Sequence, residues 1–117
     1  MKSDEIFFMI NSAPADTSAN FDTPSLTDGL NHGNIQTITS STFNGTTSTL
    51  ALQGSNTGTN WSTIYQDDGT TAVSFTLATN STYNVLLKRI LYKYYRFVYT
   101  KGNASAGTIT STFVGKH

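Results

Sequence analysis

Between Tyr94 and Tyr99 the side chains alternate: Tyr95, Phe97 and Tyr99 fall on one side, and Tyr94, Arg96 and Val98 on the other. A repeat of two is the repeat of an extended strand, whose successive side chains point to opposite faces. Val73, Phe75 and Leu77 alternate with Ser74, Thr76 and Ala78 in the same way. The rest of the chain agrees, with 21 threonines and 13 serines among 117 residues. Thr favours strands, and Ser favours turns and surfaces. These features point to an all-β domain and away from a helical bundle. A domain of this length buries roughly two-thirds of its unfolded surface, enough for one core but not for a deep cavity beside it.

Turn signals divide the alternating segments. Asn44-Gly45 is the pair favoured in type I′ hairpins, where both positions need positive φ. Folding about it pairs Phe43 with Thr46, Thr39 with Leu50 and Thr37 with Leu52. Ile35, Phe43, Leu50 and Leu52 then share a buried face. Gln36, Ser40, Thr42, Thr47, Thr49 and Gln53 share a wet one, on which Ile38 is the exception. A second hairpin joins Trp61–Gln66 to Val73–Ala78 through Asp67-Asp68-Gly69-Thr70-Thr71. Another strand lies near Tyr83–Leu87; residues 84–92 fit a helical turn or a strand leading into a bend, and the strand is favoured. After Tyr94–Tyr99, the loop Lys101–Gly107 leads to a strand carrying Ile109 and Phe113. About eight strands with frequent turns describe an antiparallel β-sandwich or jelly roll.

The first part of the chain reads differently. Ile6–Ile10 is a short apolar run of strand type, and residues 11–34 hold Pro14, Pro24 and few large apolar groups. The chain thus divides into an N-terminal strand and extended arm, 1–34, and a sandwich, 35–117, within one domain. A long loop inside a small domain is often functional. Phe7, Phe8, Phe21 and Leu26 are the side chains expected to dock on an adjacent copy or another shell by strand addition; the alternative is that the arm folds back on its own domain.

Candidates for chemistry are few. Neither His32, in the loop, nor His117 has the spacing of a nucleophilic triad, so no catalytic residues are expected. With no cysteine there is no disulfide or thiolate metal site, which favours assembly in a cytosol. Asp67-Asp68-Gly69 reads as a turn rather than a calcium site, which would need 6–8 oxygen ligands, and no cofactor or metal is expected. Met1–Ile10 reads as no signal peptide, and no apolar run approaches the ~20 residues of a membrane span. Asn44-Gly45-Thr46, Asn60-Trp61-Ser62, Asn80-Ser81-Thr82 and Asn103-Ala104-Ser105 read as chance matches to the glycosylation pattern. Lys88–Phe97 mixes bases with rings, as single-strand nucleic-acid binders do, but zero net charge favours an ordinary strand. Trp61, beside polar loops, either stacks on a sugar or covers one end of the core. All seven acids lie between Asp4 and Asp68, and six of seven bases lie between Lys88 and Lys116. Either the two halves neutralise each other within one molecule, or acidic and basic edges attract neighbouring copies.

Leu52-Gln53-Gly54-Ser55-Asn56-Thr57-Gly58-Thr59-Asn60-Trp61-Ser62-Thr63-Ile64 resembles a strand–turn–strand motif of discoidin-like sandwiches and of small β proteins of tailed bacteriophages. Tyr94–Tyr99 resembles a strand of the same group, and Gly107–Gly115 resembles the final strand of the phage proteins. The likeness covers residues 47–117. It implies a sandwich fold and a non-enzymatic virion component: a capsid decoration (cement) protein, a minor capsid protein or a tail accessory. It would be made in the host cytoplasm, carried on the virion, and partnered by the major capsid protein, other virion proteins and further copies of itself as a homo-oligomer. The alternative is a carbohydrate-binding module that uses Trp61 to attach to cell-surface glycans.

Overall fold

The computed structural model describes residues 4–117; Met1–Ser3, the start of the segment read as no signal peptide, lie outside it. Among the described residues nine strands form two antiparallel sheets: β1 (Glu5–Pro14), β2 (Ala19–Asp22), β3 (His32–Thr39), β4 (Thr49–Ser55), β5 (Ser62–Thr63), β6 (Ser74–Thr76), β7 (Thr82–Leu87), β8 (Tyr94–Thr100) and β9 (Thr108–Lys116). The four-stranded sheet has the order β1-β9-β3-β7. The five-stranded sheet runs β2-β8-β4, and β5 and β6 share the far edge of β4. The expected antiparallel sandwich is thus the observed fold.

Alternation is what seals the core. Leu50, Leu52, Tyr95, Phe97 and Tyr99 of the five-stranded sheet face Ile35, Ile109 and Phe113 of the other, and all are buried. Of the side chains expected there only Phe75 is half-buried, at the margin against the Tyr83 ring, 5.2 Å away. Phe7 stacks on Phe113 at 4.9 Å, and Tyr95 packs on the same ring at 6.3 Å. Thr37 and Ser111, both buried, spend their hydroxyls on one another at 2.7 Å. That contact removes the cost of burying unpaired polar groups.

Two expectations are corrected. Asn44-Gly45 does not close a hairpin. β3 and β4 lie in different sheets, so Thr37 pairs with Ser111 and Tyr83, while Leu50 and Leu52 pair with Tyr99 and Phe97. The intervening segment crosses between sheets, because Phe43 must reach the core. Asn44 ties the crossing to the 101–107 loop, its Oδ1 accepting from the Ser105 and Ala106 amides at 2.9 and 3.1 Å. Asn103 returns the favour, accepting from the Thr46 amide at 2.8 Å. Gly45 is not at positive φ; its missing Cβ makes room for Phe43 Cζ, 2.8 Å from where that carbon would sit, and for Ser48 Oγ.

Of residues 11–34, expected as an extended arm, 11–14 and 19–22 instead lie in edge strands of the two sheets and His32–Asn34 open the inner strand β3, so the fold-back alternative describes the segment. β1 pairs with β9 and β2 with β8, and Leu26 and Leu30 are buried in the core. The pairing runs through backbone groups, which polar side chains do not prevent. The strand ending in a bend at Lys88 forms as expected, but the hairpin around Asp67–Thr71 closes only over its tip, through the Tyr65–Ala72 bridge, while the expected strands Trp61–Gln66 and Val73–Ala78 each pair with β4 instead of with one another.

Candidate interaction surfaces

The outer face of the four-stranded sheet can be read row by row from its register. One row is Ile6, Val114, Asn34 and Leu86; the next is Phe8, Thr112, Gln36 and Asn84; a third holds Thr110, Ile38 and Thr82. None of these eleven side chains is charged. Phe8 is 59% exposed, Ile6 67%, Ile38 45% and Leu86 75%. Two amide contacts, Asn34 and Gln36 each donating to Asn84 Oδ1 at 3.4 Å, lie across the middle. His32 and Lys116 form a further row at one end of this face, where Lys116 reaches Asp4; the other rows carry aliphatic and aromatic groups set among hydroxyls and amides.

The outer face of the five-stranded sheet is organised differently. Arg96 on β8 meets Asp22 on β2, Nε to Oδ1 at 3.0 Å, and lays its guanidinium over the Trp61 ring 4.0 Å from the centroid. Trp61 is therefore half-buried with one ring face covered by a cation. The remaining ion pairs, Lys88–Asp67, Lys93–Asp28 and Lys116–Asp4, likewise join an acid of the first part of the chain to a base of the last. Four acids of the first part of the chain are thus paired with four bases of the last within one molecule.

A groove of about 780 Å³ opens between β7 and the segment that joins β5 to β6. It is lined by Ile64, Val73, Val85 and Leu87, by the rings of Tyr65 and Tyr92, and by the exposed Gln66 and Asn84. The Lys88–Asp67 pair, 2.7 Å, clasps it from above and raises the pKa of the Lys88 ammonium. Beside it Asp68 is spent on its own turn. Hydrogen bonds from the Thr71 side chain and the Thr71 and Thr70 amides hold its carboxyl at about 2.

The five side chains singled out in the sequence do not converge. Phe7 and Phe8 are neighbours on β1 but point in opposite directions, Phe7 onto Phe113 and Phe8 outward. Phe21 sits half-buried on β2 opposite Phe97, Leu26 is buried, and Trp61 lies under Arg96. In the basic and aromatic run, Tyr95 and Phe97 are core, and Lys93 and Arg96 are held by Asp28 and Asp22. Ile38, expected on a wet face, and Leu86, not expected, join these uncharged rows without having been singled out as contacts. The one apolar residue in a polar stripe, Ile38, was the available signal. No family model matches the chain, and searches of curated proteins and of solved structures find no match.

Proposed function

We infer that the chain is a non-enzymatic structural protein of a bacteriophage particle, a capsid decoration (cement) or minor capsid protein held in place by protein–protein contacts. The observation that carries this reading is the set of three adjoining uncharged rows on the outer face of the four-stranded sheet. Interface centres are depleted of charge and enriched in aromatic groups, with polar groups at the rim. Exposed apolar groups gathered in one patch mark contact surfaces. The likeness of Leu52–Ile64 and Gly107–Gly115 to phage proteins supplies the setting: a virion, with the capsid shell as partner. Ile38→Lys places a charge on that face without touching the core. It is expected to weaken co-sedimentation with particles made by the encoding genome by about thirtyfold, the ~2 kcal/mol of one interface hot spot. Unchanged co-sedimentation of a folded Ile38→Lys protein would count against this face as the docking surface.

A second reading is a carbohydrate-binding module, and the groove favours it more than Trp61 does. Tyr65 and Tyr92 offer rings to the apolar side of a sugar, and Gln66 and Asn84 offer amides to its hydroxyls. Trp61 has already given one ring face to Arg96. Glycan-array binding that Tyr65→Ala abolishes would favour this reading over the first.

A further inference from the structure

The four-stranded sheet ends in two open edges that differ in kind. Sheets usually blunt their edges with bulges, charge or very short strands. The five-stranded sheet does so, with β2, β5 and β6 of four, two and three residues. In the four-stranded sheet β1 has its register shifts only beyond Phe8, so Glu5–Phe8 is a regular open edge. At the other end, β7 is regular throughout its pairing with β3, and its outer edge is open along the groove.

The two edges complement one another. Register links Glu5 to Gly115, Gly115 to Gly33 and Gly33 to Leu87, and links Ile6 to Leu86 through Val114 and Asn34. Strand directions alternate from β1 to β9, β3 and β7, so β7 runs opposite to β1. A second molecule set beside the first in the same orientation therefore continues the antiparallel pattern, its β1 against the first molecule's β7. With no stagger, Ile6 falls opposite Leu86, two exposed aliphatic side chains on the same face. Phe7 falls opposite Val85 on the inner side, above the groove, and the Asp4–Glu5 end meets the Lys88–Arg89 end. Arg89 has no ion pair among the described residues. Asp4 and Lys88 have exposed partners in their own chain, which are worth little and readily exchanged.

We propose that a second copy of this chain pairs its β1 edge with β7, extending the four-stranded sheet head to tail from molecule to molecule. Such a contact is heterologous, so it builds rings or open rows rather than closed twofold dimers. It leaves the uncharged face free, and it holds whichever particle or ligand that face serves.

The chain has no cysteine, so paired single-cysteine variants report the contact directly. Directly opposed residues have Cβ atoms about 5 Å apart, near disulfide range. Ile6→Cys mixed with Leu86→Cys under mild oxidation should give a mixed cross-linked dimer well in excess of the products of either variant alone. Phe8→Cys with Asn84→Cys repeats the test one row away, should either first variant fail to fold. Lys88→Glu with Arg89→Glu should weaken self-association at low salt at least tenfold by analytical ultracentrifugation, and adding an equal amount of Asp4→Lys with Glu5→Lys should restore it. The proposal is overturned if folded protein stays monomeric to about millimolar concentration. It is also overturned if each cysteine variant cross-links to itself as readily as to the other.

Discussion

At Gly107 the backbone adopts a φ of 97°, and a β-carbon there would strike the Phe43 backbone. Gly69 has a similar φ of 72°, but open space surrounds its missing Cβ. The pair separates conformational strain from steric contact. Gly69→Ala should cost about 1–2 kcal/mol, the penalty of a left-handed residue, whereas Gly107→Ala adds a collision and should cost about 3 kcal/mol or more. Urea unfolding of both variants checks this, and equal losses would mean that the 101–107 loop is not packed against Phe43. Gly45 shows how a residue can be read correctly as demanding glycine for the wrong reason. The Asn44-Gly45 pair suggests positive φ, but the structure needs the missing Cβ for Phe43 and Ser48. Local turn chemistry is legible in a sequence; the approach of a side chain from elsewhere in the fold is not.

The strands with strong alternation, β4, β8 and β9, were legible because each buries every second side chain. β2 was not: Ala19–Asp22 contains one large apolar residue, and its place is set by backbone pairing to β8. The same holds for the outer half of β1, where Ser12 takes a φ of 49° and its amide donates to Thr110 Oγ1 at 3.2 Å. Which sheet a strand joins was also hidden, because a turn-like segment can close a hairpin or cross the sandwich. β8 carries a property of its own: Tyr95 and Tyr99 have pKa values raised, first by burial. A phenol kept neutral in the folded state adds stability that is fully present below its unfolded pKa of about 10. That stability is lost as pH rises through the raised folded values. The unfolding free energy should therefore fall above pH 10 more steeply than surface charge explains, by up to about 1.4 kcal/mol per pH unit for each phenol, and the melting temperature should fall with it. Tyr99→Phe should flatten the fall, and an unchanged alkaline profile would show that burial does not hold this phenol neutral.

At the scale of the whole molecule, two unlike sheet faces enclose one core. The five-stranded sheet presents the Asp22–Arg96–Trp61 layer, and the four-stranded sheet presents the uncharged rows that include Phe8 and Ile38. The fold class could be read from alternation alone. The face could not, since it gathers residues from four strands far apart in sequence, and only Phe8 among the expected contacts belongs to it. The neutral total charge concealed a division too, because charge pairs across the molecule and is missing from three adjoining rows of one face. The proposed role in a virion depends on that face. Electron cryomicroscopy of the native particle tests it most directly. The account predicts density for this chain on the shell, with Phe8 and Ile38 buried against the shell and Trp61 turned away from it. A particle without the chain, or a chain docked through its five-stranded sheet, would contradict it.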